Sequence, residues 1–302
     1  MENECSQPGP LPDGYLGDPI RPPVEAGSVI LQATTGCPHN RCAFCAAYRG
    51  VGFRVRTPAE FETHARLIAT LEGRGGSRVF FADGDTMRLS TARLLELTEI
   101  TRRVFPEARR FSLYAGARGI LSKTEEELAR LKEAGFNTLY LGLESGSEDI
   151  LRDMQKDVTA SEMTKAVVAA QSAGLRVSVM VLLGLGGVTH SLEHARATAA
   201  ALNRMQPRLL SILTLIPVPG TPLWKRISEG TFALPDARGM LRELRELVAG
   251  LELSRTVFTA NHASSYLPLE GALPRDRDRL LVELDGALAG SRNLVPEAWR
   301  GL

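Results

Sequence analysis

The sequence predicts an α/β protein: a partial (β/α)6 TIM-like barrel with a C-terminal helical extension. Two observations lead there. Six short apolar runs alternate with stretches of helical periodicity roughly 12–16 residues long, the pattern of a parallel sheet with right-handed crossovers. The runs are continuously apolar, as in strands covered on both faces, and polar or glycine-rich groups follow their carboxyl ends, where such folds place their sites.

Taken in order, residues 1–27 form an N-terminal extension with Pro8, Pro10, Pro12, Pro19, Pro22 and Pro23, too many for a helix or a central strand. A core over 28–230 follows. Ser28 to Thr34 is the first strand and leads into Cys37-Pro-His-Asn-Arg-Cys42-Ala-Phe-Cys45. Thr57 to Leu71 reads as a helix, with Pro58 in its first turn and Phe61, Ala65, Ile68 and Leu71 on one stripe. Arg78 to Ala82 is a strand ending in Asp83-Gly84-Asp85, and Thr91 to Val104 the next helix. Phe111 to Ala115 is a strand ending near Arg118. Lys123 to Ala134 is a helix closed by Gly135. Thr138 to Leu143 is a strand ending at Glu144, followed by a helix over Thr159 to Ala173. Arg176 to Leu183 and Leu209 to Leu215 are the last two strands, with a helix from His190 to Met205 between them. Residues 231–302 are expected to cover the barrel as an extension, with helices over Asp236 to Leu253 and Arg275 to Ala289 and a loop carrying Asn261, His262 and Tyr266.

Composition narrows the function classes. A net charge of +1 gives no argument for nucleic acid or a membrane surface. No apolar run reaches the roughly 18–20 residues a bilayer requires. The N-terminus shows no basic segment leading into an apolar one, so no signal peptide is expected and cytoplasm is the default location. Three of the four cysteines fall within nine positions, which reads as a metal site rather than a disulfide framework.

Three thiolates on one loop can hold three corners of a [4Fe-4S] cluster and leave one iron open. Phe44 and Tyr48 are placed to shield it. A zinc site with His39 as fourth ligand is the alternative, but most zinc modules pair two separated knuckles. The Asp83-Gly84-Asp85 turn offers acceptors for an ammonium group. Arg118 suits a carboxylate. The glycines of Gly184-Leu-Gly186-Gly187 allow close backbone approach, and Ile216, before Pro217-Val-Pro219-Gly220-Thr221-Pro222-Leu223, offers an apolar face. His262 and Tyr266 suit proton transfer to or from a substrate, or a structural loop. Trp224 and Trp299 are expected to pack.

These segments, in this order, resemble the radical SAM superfamily, and within it the coproporphyrinogen oxidase-like, MiaB-like and Elp3-like branch. The resemblance covers residues 28–223, about two thirds of the chain. It rests on Cys42-Ala-Phe44-Cys45, the Gly84 turn, Gly142-Leu-Glu144-Ser-Gly146, the Gly184 strand end and Pro219-Gly-Thr-Pro-Leu223. The spacing departs in one place: four residues separate Cys37 from Cys42, where the family's usual motif has three. The resemblance implies that Cys37, Cys42 and Cys45 hold a [4Fe-4S] cluster. It implies that S-adenosylmethionine binds through Asp83, Gly84, Asp85, Arg118, Glu144, Gly184 and Ile216. A flavodoxin- or ferredoxin-like donor would supply the electron that cleaves the cofactor, and the resulting 5′-deoxyadenosyl radical would take hydrogen from a small-molecule substrate. With no cysteine after Cys45, auxiliary clusters and methylases that need a C-terminal cysteine are not expected, nor is a cobalamin-binding domain before residue 28. A non-catalytic relative that binds and delivers a cluster or haem is the alternative reading.

Overall fold

The computed structural model describes residues 14–17 and 19–301. Cys5 and the first prolines lie outside the described residues. The chain divides into two compact units, each taken here by itself.

The first unit comprises Met1–Asn40, Ala47–Tyr140 and Ala169–Leu175. It holds β1 (Val29–Gln32), β2 (Thr34–Thr35), β3 (Arg54–Val55), α1 (Pro58–Glu72), β4 (Arg78–Ala82), α2 (Thr91–Val104), β5 (Arg110–Tyr114), α3 (Ala117–Leu121), α4 (Glu125–Glu133) and the start of β6 (Phe136–Glu144). β1, β4, β5 and β6 are parallel neighbours, in the register Ile30–Phe80–Ser112–Thr138. Thr57 and Thr124 start α1 and α4 with full capping boxes, each satisfying two N-terminal amides that would otherwise lack partners. One face of the sheet carries Phe81, Phe111 and Phe136, packed on one another and, through Phe81, on Phe61 of α1. The other face carries Phe80, Tyr114 and Tyr140 edge to face. Tyr140 donates to the buried Glu25, at the end of the short 3-10 turn Pro23–Glu25. β2 and β3 pair antiparallel, and the cysteine segment lies between them in sequence.

The second unit comprises Arg41–Ala46, Leu141–Val168 and Arg176–Leu302. It takes in the end of β6, α5 (Glu148–Asp153), most of α6 (Ala160–Ser172), β7 (Arg176–Leu183), α7 (Gly187–Met205), β8 (Leu209–Thr214), α8 (Pro222–Ser228), α9 (Ala237–Ala249), β9 (Thr256–Ala260), β10 (Leu269–Leu273) and α10 (Arg277–Leu288). β7, β8 and β9 run parallel, and β10 turns back antiparallel on β9. In hydrogen-bonding order the eight strands run β1-β4-β5-β6-β7-β8-β9-β10, a mostly parallel α/β sheet.

The six expected strands are all present. The C-terminal stretch differs from expectation, because β9 and β10 add two strands to its helices. Thr256-Val-Phe-Thr-Ala260 has little apolar alternation, but Phe258 is fully buried and Ala260 nearly so. The tryptophans also depart from expectation. Trp224 is 39% and Trp299 78% exposed, so neither is a buried core residue.

β9 is therefore a load-carrying part of the second unit. Phe258→Ala should cost about 3–5 kcal/mol in urea unfolding. A loss under about 1 kcal/mol, the size expected for a surface change, would contradict its assignment to the core.

Candidate active site

The cysteine segment has almost no regular structure, so its backbone groups need partners from elsewhere. In the first unit, Gly36 takes φ 68°, and Gly84 lies directly against it. A Cβ on Gly84 would stand 2.2 Å from the Gly36 carbonyl oxygen and 2.8 Å from the Cys37 Cα. Only glycine permits that approach. Asn40 fixes the next bend, donating to the Tyr48 carbonyl at 2.6 Å and the Val51 carbonyl at 3.2 Å.

In the second unit, Ala43 is held from both sides. Its N–H donates to the Met154 carbonyl at 2.9 Å, and its carbonyl accepts from the Leu223 N–H at 3.0 Å. Leu223 is there because Thr221 caps α8 and Pro222 opens it. Ala43, Ile150, Met154, Leu185, Leu215 and Leu223 form one apolar cluster, and Phe44 packs on it. The Pro219-to-Leu223 segment thus seats the cysteine loop, a role the sequence analysis did not give it.

None of Cys37, Cys42 and Cys45 is in a disulfide, and each is half-buried. Among the described residues no three His, Cys, Asp or Glu side chains converge on a single-ion site. A [4Fe-4S] cluster needs no such convergence, because its thiolates bind different irons. Three thiols on a seated loop suit it as a donor set.

The strand-end residues are each held by close partners within their own unit. The Asp83 carboxylate turns inward, accepting from Gln32 at 2.7 Å and from the Tyr48 hydroxyl at 3.5 Å. Tyr48 in turn accepts from the Gly84 N–H at 3.1 Å, so it braces the turn. Burial pushes the Asp83 carboxyl up to about 6, outweighing the hydrogen bonds from Gln32 and Tyr48 and the charge of Arg56. Asp85 accepts from the Gly116 N–H at 2.8 Å, and Gly119 lies against the Met87 backbone. These contacts fix the start of α3, from which Arg118 projects exposed.

In the second unit Glu144 is half-buried with φ 62° and pairs with Lys156 at 3.1 Å. Gly142 leaves the room, since a Cβ there would stand 2.0 Å from the Glu144 carboxylate. Burial opposes the Lys156 charge, but Glu144, Cys42 and Cys45 hold its pKa above the ordinary lysine value. Gly184 is buried with φ 92°, and Ile216 is half-buried. His262 and Tyr266 are engaged locally. Ser264 N–H donates to His262 Nδ1 at 3.1 Å, Tyr266 donates to Glu297, and the Arg300 guanidinium lies 3.8 Å above the Tyr266 ring. Burial lowers the His262 pKa, and burial with the Glu297 bond raises Tyr266 to about 12.

Two outcomes follow from this packing. Gly84→Ala should displace the Cys37 backbone and cut iron loading on anaerobic reconstitution several-fold. Gly75→Ala, where an added Cβ meets nothing, should load normally. Equal loading of both would contradict the seating. The second concerns Asp83. Its carboxyl is raised in the fold, so wild type loses stability as pH rises from about 4 through about 6. In urea unfolding of the apo chain, Asp83→Asn should escape that loss, gaining about 1–3 kcal/mol on wild type between those pH values. A difference that stays flat with pH would contradict the buried carboxylate.

Comparison with known proteins gives the family. The radical SAM superfamily model matches residues 31–199. An uncharacterized methyltransferase of Pyrococcus horikoshii is 28% identical over 65% of this chain and 41% of its own length. A hopanoid C-2 methylase of Rhodopseudomonas palustris is 28% identical over 69% of this chain and 39% of its own length. The chain therefore spans about two fifths of these relatives. Among solved structures, the coproporphyrinogen III oxidase of Escherichia coli superposes with a TM-score of 0.55 at 19% identity, covering 74% of this chain and 51% of that one. That likeness is one of fold. No described helix is long and apolar enough to cross a membrane. With its mostly parallel strand order and its three-cysteine loop, the chain belongs to the radical SAM superfamily, whose members bind a [4Fe-4S] cluster and S-adenosylmethionine.

Proposed function

We propose that the chain is a radical enzyme that cleaves S-adenosylmethionine reductively and takes a hydrogen atom from a small-molecule substrate. The observation that carries this reading is the seating of Ala43. Hydrogen bonds to Met154 and Leu223 fix the Cys42–Cys45 segment by its backbone, and the thiols are kept out of any disulfide.

Cys37, Cys42 and Cys45 would hold three irons. When bound, the cluster and S-adenosylmethionine together would supply one-electron cleavage of a sulfonium C–S bond and so the radical chemistry of the proposed reaction. The chain's own residues bind and orient. Lys156 would offset negative charge on Cys42 and Cys45 in a cluster-bound state and fixes the Glu144 carboxylate. The Asp83 carboxylate is already engaged, so the 83–85 turn would meet the cofactor's ammonium through backbone carbonyls. Arg118 would take the carboxylate and Glu144 the hydroxyls or the amino end. The Gly184 backbone and Ile216 would lie along the adenine. His262 and Tyr266 are assigned to the substrate side, where a neutral imidazole and a protonated phenol serve as hydrogen-bonding groups. A flavodoxin- or ferredoxin-like protein would donate the electron. Residues 28–230 form the proposed core domain, with 231–302 as its extension.

Anaerobic reconstitution followed by dithionite and S-adenosylmethionine tests the reading. Wild type should form 5′-deoxyadenosine, and Cys42→Ala should lose both iron and cleavage. Glu144→Ala should weaken cofactor binding about 10–100-fold while iron content stays intact. Cleavage that survives Cys42→Ala would remove the ligand assignment. A loaded cluster that never cleaves the cofactor, in a chain that binds haem, would replace catalysis with delivery.

A further inference from the structure

Glu243 of α9 and His194 of α7 form a buried pair that the preceding assignments do not use. Their side chains are 0% and 1% exposed. Glu243 Oε1 accepts from the Gly184 N–H at 2.7 Å and from His194 Nδ1 at 2.9 Å. Its Oε2 accepts from the Ser191 hydroxyl at 2.5 Å. His194 Nε2 lies 3.3 Å from the Glu144 carbonyl oxygen. Both ring nitrogens of His194 therefore face oxygen atoms, the Glu243 carboxylate on one side and the Glu144 carbonyl on the other. The carboxylate thus meets three partners and the ring two, so every buried polar atom of the pair is engaged.

The pair joins two turns that both need outside support. Glu144 has φ 62°, which is unfavourable for a residue with a side chain, and Gly184 has φ 92°. Met240, one turn before Glu243 on α9, closes over Gly184, since a Cβ there would stand 2.5 Å from its Cε.

We propose that His194 and Glu243 are positioning residues that set the Glu144 and Gly184 turns as one unit for S-adenosylmethionine. This rests on the cofactor assignment of those two turns. It also makes α9, which follows the six-strand repeat, part of the cofactor site.

The experiment uses the full chain, wild type against His194→Gln and the isosteric Glu243→Gln. Hydrogen exchange of the apo protein is followed in peptides covering 141–147 and 183–191. S-adenosylmethionine affinity is measured on reconstituted protein by equilibrium dialysis, with iron per chain as control. Each variant should speed exchange in both peptides together and raise Kd by about tenfold at unchanged iron content. Ser191→Ala, which leaves the His194 link intact, should stay within about threefold of wild-type affinity. Loosening confined to one of the two turns would overturn the proposal. So would a lowered melting temperature with Kd unchanged, the signature of a merely structural pair. Failure of wild type to bind S-adenosylmethionine would instead fall on the proposed function, while the paired exchange response would still decide whether the brace exists.

Discussion

The structure depends on how a nearly structureless loop is held still. The cysteines sit where helix and strand hydrogen bonds are missing, so the loop's geometry is set by what its backbone touches. In the first unit that is Gly84, whose missing side chain lets the Gly36–Cys37 backbone come to contact distance. In the second it is the pair of hydrogen bonds on Ala43 and the apolar cluster around it. Backbone pinned this way is held without cross-links.

The same economy explains the strand ends. The side chains there are mostly engaged nearby: Asp83 with Gln32 and Tyr48, Asp85 with the Gly116 backbone N–H, Glu144 with Lys156. In the proposed function a ligand would therefore meet mainly backbone held in fixed turns within each unit. Turns that are fixed before anything binds lower the cost of binding.

Much of this was legible in the sequence, for physical reasons. β4, β7 and α2 match their expected bounds residue for residue, because a continuous apolar run or a clean helical stripe leaves little choice. The cysteine loop announced itself by residue type and spacing. Other features left no local trace. β9 and β10 lack a strong alternating pattern and are strands because β8 offers an edge to pair with. α3, α5 and α8 are five to seven residues long, too short to show a stripe. Glu243 lies on an amphipathic helix where a charge reads as solvated face, and only the packing of α9 on α7 and β7 buries it. The two tryptophans show the converse, since residue type suggested packing and the fold left them exposed.

The central claim is that three seated thiolates leave one iron to bind S-adenosylmethionine directly. The most direct measurement is pulsed electron–nuclear double resonance on the reduced, reconstituted protein with cofactor labelled at its amino nitrogen with 15N. The account predicts a resolved coupling between that nitrogen and the cluster, present in wild type and absent without cofactor. A fully loaded cluster showing no coupling to the label would contradict it.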